Sequence, residues 1–327
     1  MKPLLRLTTA LVRHARQNRL RPAFAPLIVP SVTATGRQFQ SSTTGTGISD
    51  NTTTTTTTTP LHHADSPTPL PGHSPSVNAS EISHFDALAS TWWDPHGSSR
   101  VLHLMNPLRH DFIRSCHDSQ EDPSPADTGR RLRYLDVGCG GGIFAESAAR
   151  LASTESVTAV DPSAEILAVA RSHAARDPAL AATGRLDYLN ATIETLPEPM
   201  APADMYDVVT LFEVVEHVDN PAAFLERCGR FVRPGGWLVL STIARTWTSW
   251  FTTNLVAEDI LGMVPKGTHD WHKYINEDEL RGHFAKQPGW SNPRVMGVVY
   301  VPGMGWKEVG GSEKIGNYFF AIRKDVI

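Results

Sequence analysis

Glu213, Glu216 and His217 place two carboxylates and an imidazole within five positions, directly behind the apolar run Tyr206-Asp207-Val208-Val209-Thr210-Leu211-Phe212. On a helix starting there, the i, i+3 and i+4 spacing puts all three side chains on one face. Such a rim can coordinate a divalent cation, and oxygen-rich ligation favours Mg²⁺ over zinc. The same residues equally suit a metal-free site in which His217 acts alone as general base, with a pKa near neutrality. Phe212, last in the apolar run, is placed either to cover the ring of a bound cofactor or to pack in the core.

A second constellation lies upstream, where Tyr134-Leu135-Asp136-Val137 runs into Gly138-Cys139-Gly140-Gly141-Gly142 and an apolar, helix-forming segment. Glycine permits positive φ and lets a ligand approach the backbone, while the amides of the next helix's first turn point outward. The pattern therefore reads as a buried strand turning sharply under a nucleotide-like cofactor, or as a tight turn that binds nothing. A dinucleotide enzyme needs a glycine where this chain has Ile143. The G-x-G-x-G spacing, with Asp136 two residues ahead of Gly138, instead resembles motif I of the class I S-adenosylmethionine (SAM) methyltransferases, which implies SAM contacts at Asp136, Gly138 and Gly140. Asp161 closes the next apolar run, Val157-Thr158-Ala159-Val160, at the distance expected of an acid that accepts bonds from ribose hydroxyls. Alone it would equally serve as a helix cap, but its spacing from Gly138 favours the ribose.

These residues need a scaffold that presents strand ends together. Strand patterns are expected at 132–137, 157–161, 186–191, 206–212 and 237–242, mostly with helical patterns between, and at 295–300 and 317–322 with no helix between. A short helix is expected over 81–90. Strand–helix alternation predicts a parallel sheet covered on both faces, and the closing pair predicts an antiparallel edge. The expectation is thus an α/β, Rossmann-like fold with a mostly parallel seven-stranded sheet. Gly138, Asp161 and Glu213 all fall at the carboxyl ends of strands, where such sheets bind ligands.

Composition divides the 327 residues. No acid precedes Asp50, while Lys2, Arg6, Arg13, Arg16, Arg19, Arg21 and Arg37 are basic, with Leu4, Leu7 and Leu11 opposite the basic face. An Arg-rich, acid-free, amphipathic start matches a mitochondrial transit peptide, assigned to 1–40, or a generic basic tail. Residues 41–80, with eight consecutive threonines from Thr52 to Thr59, read as a disordered Thr/Pro/Ser-rich linker. The catalytic domain is assigned to 81–327. A net charge of −4 argues against a nucleic-acid surface. Cys116, Cys139 and Cys228 show no disulfide or C-x-x-C spacing, as suits reduced thiols in the matrix.

Further segments occur in order: Phe85-Asp86-Ala87-Leu88-Ala89-Ser90-Thr91-Trp92-Trp93-Asp94-Pro95, Leu104-Met105-Asn106-Pro107-Leu108-Arg109, Val215-Glu216-His217-Val218, Arg233-Pro234-Gly235-Gly236 and Met263-Val264-Pro265-Lys266-Gly267-Thr268-His269-Asp270. With the glycine loop they closely resemble the ubiquinone-biosynthesis O-methyltransferase family in its mitochondrial form, a likeness running from about Ile82 to the C-terminus. The resemblance implies methylation of a phenolic hydroxyl on 3,4-dihydroxy-5-polyprenylbenzoate and on demethylubiquinol. It implies that Arg109 engages SAM, Asp161 holds the ribose, Phe212 sits by the adenine, and Glu213, Glu216 and His217 bind Mg²⁺. Phe212 departs from a methionine common in the family, and 119–130 is longer than usual.

An isoprenoid tail is insoluble, so a bilayer or lipid-handling partner is expected, with peripheral attachment to the matrix side of the mitochondrial inner membrane and membership of a multienzyme quinone-synthesis complex. Within the insertion 244–271, Trp247, Trp250, Phe251, Leu255, Ile260 and Val264 recur at helical spacing, as in an interfacial helix or in a lid packed on its own core. Two other readings stand: a SAM methyltransferase for a soluble phenol or small acid, and a non-catalytic scaffold that keeps the fold.

Overall fold

The computed structural model describes residues 76, 79–97, 99–119, 129–246 and 273–326. The leader at 1–40, nearly all of the linker at 41–80, most of the 119–130 loop and residues 247–272 of the insertion lie outside that set.

Strand β1 (Leu132–Val137) and helix α3 (Ile143–Ala149) flank the glycine turn. Before them come α1 (Ala79–Leu88), a 3₁₀ turn over Ala89–Thr91, and α2 (Arg100–Asp118). After them follow β2 (Thr154–Asp161), α4 (Ala164–Ala174), α5 (Pro178–Thr183) and β3 (Leu186–Asn190). Next are β4 (Tyr206–Phe212), α6 (Pro221–Arg230) and β5 (Val232–Ile243). The chain closes with α7 (Glu277–Ala285), β6 (Trp290–Val301), β7 (Gly305–Glu308) and β8 (Asn317–Lys324).

Among the described residues, all the strands form one sheet in the order β3-β2-β1-β4-β5-β8-β6-β7, eight-stranded where seven were expected. The parallel half and the antiparallel edge are as the alternation predicts. The additional strand is β7, which pairs antiparallel with β6 at the sheet margin. Its four residues, Gly-Trp-Lys-Glu, are too few for a period-two pattern to register.

Period-two alternation sorts the core to two sides. Tyr134, Val208, Trp237 and Phe319 join Met105, Phe112 and Phe144 in one cluster against α2 and α3. Their neighbours Leu135, Val209, Leu238 and Phe320 join Phe224 and Phe284 in the other, against α6 and α7. The three cysteines are free thiols, and all three are buried. Among the described residues, no helix is long and apolar enough to cross a membrane.

The sheet runs from a structural end to a functional one. At the entry to β4 the carboxylate of Asp207, 1% exposed, accepts from Arg130, from Arg233 and from the Arg133 amide at 2.7 Å. It ties the starts of β1, β4 and β5 together. At the other end the strand order reverses between β1 and β4, opening a crevice at their carboxyl termini. Asp207→Asn should lower stability by about 2 kcal/mol, since the partner arginines keep some water. Denaturant titration measures this, with SAM affinity the same in the folded fraction.

Candidate active site

The turn after β1 is built by backbone. Gly138, Gly140 and Gly142 take φ of 69°, 52° and 84°, the left-handed region that L-residues enter at a cost. The Gly138 and Cys139 amides donate to the Val160 carbonyl at 2.8 and 3.0 Å, tying the turn to β2. Asp161, at the end of that strand, accepts from the Gly140 amide through Oδ2 and the Ser163 amide through Oδ1, both at 2.9 Å. It therefore also shapes the turn, beyond the ligand role expected of it. Burial raises its pKa to about 6 despite these two amides.

Asp136 is 3% exposed and accepts from the Thr210 hydroxyl at 2.7 Å. Burial raises its pKa to about 7, against the opposing pull of Thr210 and Arg109. Arg109 rises from α2 and is 4% exposed, with its guanidinium 4.7 Å from the centre of the Phe212 ring. Burial lowers its pKa, partly offset by Glu213 and Asp136. Among the described residues, neither Arg109 Nε nor Trp92 Nε1, both buried, has a hydrogen-bond partner. Phe212 itself is 8% exposed, 4.8 Å from the Phe144 ring and part of the cavity lining, so it packs in the core and reaches the site at once.

The turn after β4 differs from the expected helix. Glu213 adopts φ of 56°, and only Val215–His217 forms a 3₁₀ turn. The left-handed residue breaks the helical register on which the i, i+3, i+4 argument relied. Each side chain is held separately. Ser241 Oγ donates to Glu213 Oε1 at 2.5 Å and Thr242 Oγ1 to Glu216 Oε2 at 3.0 Å. His217 Nδ1 pairs with Glu81 Oε2 at 3.1 Å. Burial, reinforced by the Glu213 charge, raises the Glu216 pKa to about 7. Burial alone would lower that of His217, yet the Glu81 bond and the charges of Glu216, Glu81 and Glu213 outweigh it, and the net shift is upward.

Glu213, Glu216 and His217 share one cavity wall. Among the described residues, however, no three His, Cys, Asp or Glu side chains are arranged to hold a metal ion. Each side chain is held by its own partner, and as arranged here the three do not converge as the expected Mg²⁺ cage requires.

Several site residues escaped the sequence reading. Glu81 on α1 bonds His217 and accepts from Lys273 Nζ at 3.1 Å, and chiefly the His217 bond lowers its pKa to about 2. Trp92 covers the turn so closely that a β-carbon on Gly140 would lie 2.6 Å from its ring. Trp93 Nε1 donates to the Gly141 carbonyl at 2.9 Å, and its ring stacks on His173 at 3.4 Å. The Trp-Trp-Asp segment was visible in the sequence, but nothing there said what it touches.

The cavity, about 630 Å³, joins the glycine turn, Asp161, Arg109 and His217. Residues 108–291 match the family model described as a methyltransferase domain. The chain is 43% identical to the mitochondrial ubiquinone biosynthesis O-methyltransferase of Schizosaccharomyces pombe, over 77% of this chain and 88% of that one. It is 39% identical to the protein of the same name from Candida albicans, over 76% of this chain and 86% of that one. The likeness to the Arabidopsis thaliana counterpart is 35%, over 85% and 84%. A solved magnesium protoporphyrin IX methyltransferase from Synechocystis PCC 6803, with bound SAH, shares the fold at TM-score 0.51 and 17% identity, covering 74% of this chain and 95% of that one.

Two outcomes follow from this geometry. Gly140→Ala should cost about 2 kcal/mol, part from the left-handed φ and part from the Trp92 ring. In a Trp92→Ala background the same change should cost only about 1 kcal/mol, a coupling that a double-mutant cycle in denaturant reads. Asp136 holds a proton in the native state between its ordinary pKa of 3.8 and about 7, which the unfolded chain has released. Its contribution to stability therefore falls as pH rises through that window. Asp136→Asn should gain thermal stability on the parent protein between pH ~5 and ~8, measured by calorimetry without ligand.

Proposed function

Because the chain belongs to the ubiquinone biosynthesis O-methyltransferase family, we propose that it transfers the methyl group of SAM to a phenolic hydroxyl of a polyprenylated catechol. The substrates are 3,4-dihydroxy-5-polyprenylbenzoate and demethylubiquinol. The observation that carries this reading is that one cavity is lined by the glycine turn, Arg109 and His217 together.

SAM, when bound, supplies a sulfonium methyl that passes to the phenolic oxygen with cleavage of the carbon–sulfur bond and leaves neutral S-adenosylhomocysteine. The orphaned Nε of Arg109 fits an anionic group such as the methionine carboxylate. Asp136, Gly138, Gly140, Asp161 and Phe212 line the same cavity, which supports Asp161 as the acceptor from ribose hydroxyls and Phe212 as the neighbour of the adenine.

A free phenol titrates near ~10 and is a poor nucleophile at neutral pH, so the site must take its proton. His217 is the group for that role. Glu81 fixes Nδ1, leaving Nε2 as the nitrogen that receives the proton, and Phe85 meets the imidazole ring edge-on at 5.1 Å. Glu213 and Glu216 flank it and favour the imidazolium that forms. Holding the oxygen in line with the methyl is a proximity effect. Magnesium rests on the family resemblance alone, and no step here passes through it.

The relatives' mitochondrial names and the basic leader support a mitochondrial location, and the insoluble tail supports attachment to the matrix face of the inner membrane, beside other quinone-synthesis enzymes. The residues for an interfacial helix at 244–271 fall mostly outside the described set. The decisive experiment is SAM turnover on a prenylated demethyl-quinol, with and without chelator. His217→Gln should lower kcat by about a hundredfold or more while calorimetry still detects SAM binding. Turnover that survives exhaustive chelation supports His217 as the base. Loss of turnover restored by Mg²⁺ alone makes Glu213, Glu216 and His217 the metal site, and failure to bind SAM returns the chain to a scaffold role.

A further inference from the structure

The cavity is longer than its polar end requires. Beyond Arg109 it continues between the first turns of α2 and the β6–β7 hairpin, where Val101, Leu102 and Met105 face Val298, Tyr300 and Trp306. Of the lining residues contributed by 298–317 and by the first two turns of α2, none carries a charge. Arg109 is the first charged lining residue met along α2. Trp306 Nε1 donates to the Val101 carbonyl at 2.9 Å, and its ring meets Tyr300 at 5.4 Å. These contacts pin the hairpin to α2 and set the wall of the arm. Met105 and Val298, each 1% exposed, form its inner part.

The outer part of the arm reaches solvent through apolar residues. Val299 is 37% exposed and Ile315 50%, and both line the cavity. Met304, in the hairpin loop beside them, is 65% exposed. Scattered exposed apolar side chains are ordinary on a protein surface. Here they flank the mouth of an uncharged channel that starts at the methyl-transfer site. Such a channel disfavours water and polar ligands and suits a flexible hydrocarbon chain attached to a polar ring.

We propose that the arm between α2 and the β6–β7 hairpin is the binding path for the substrate's isoprenoid tail, which leaves the protein past Val299 and Ile315. This rests on the reading of the substrate as a prenylated catechol. The ring sits by His217 and Arg109, the first isoprene units lie against Met105, Val298 and Trp306, and the remainder emerges at the rim. The arm makes the tail part of recognition, so affinity rises with the first units and levels off once the chain passes the rim.

The test uses the full chain and compares kcat/KM for a diprenylated catechol and its tail-free counterpart in Val299→Asp and Ile315→Lys. The two substitutions carry opposite charges, so a common effect cannot come from long-range electrostatics. The ratio of prenylated to tail-free kcat/KM should drop by roughly tenfold or more in each, mainly through KM, as burial of a few methylenes is lost. Val299→Ile should keep the parent ratio, and thermal unfolding should show each variant folded. Folded charge variants that retain the parent's ratio would place the tail elsewhere and overturn the inference alone. A parent protein that shows no preference for the prenylated catechol overturns the substrate reading, and the inference with it.

Discussion

The four glycines of the turn, Gly138 and Gly140 to Gly142, are approached so closely on several sides that a β-carbon has no room on any of them. One on Gly138 would lie 2.6 Å from Val214, on Gly141 2.8 Å from Trp92, and on Gly142 2.0 Å from the Tyr188 hydroxyl. Those neighbours come from the turn after β4, the segment after α1, and β3. The turn is where separately folded pieces of the chain meet. Because they meet through bare backbone, the amides and carbonyls of the turn are held by fixed partners, Asp161 and Trp93 among them, before any ligand arrives. A site arranged in advance loses less on binding than one that must order itself.

Charge around the turn follows from the same closeness. Asp136, Asp161 and Glu216 are buried and hold protons more tightly than free carboxylates do. Arg109 is the buried cation beside Asp136 and Glu213. Without a ligand this arrangement carries a desolvation cost that Arg109 offsets only in part. A ligand bearing both a carboxylate and positive charge meets the guanidinium and the acids at once, and SAM has that distribution of charge.

The central strands were legible because each is a buried run ended by a residue with a distinct job, and β1 and β4 have the expected limits. The later elements were harder to read. β5 begins at Val232 and continues through Pro234-Gly235-Gly236, where turn-forming residues hide a strand. Glu213 reads from its spacing as the first residue of a helix, but its backbone is left-handed and both its amide and its carboxylate bond to Ser241 on the neighbouring strand, a partner that local pattern does not encode. Glu81 is the clearest case. It lies 136 residues from His217, on an exposed-looking amphipathic helix, and nothing in its neighbourhood marks it as a partner for an imidazole.

The first helical segment, from Ala79 through Trp93, contributes no strand to the sheet yet supplies Glu81, Phe85, Trp92 and Trp93 to the site. That sets a firm boundary on how far the chain can be shortened from its N-terminal side. A cut ahead of Ala79 leaves all four of these side chains in place. A cut a few turns further keeps every strand of the sheet but leaves an unbraced imidazole and an uncovered glycine turn, so a segment that adds nothing to the sheet separates a furnished site from an empty shell.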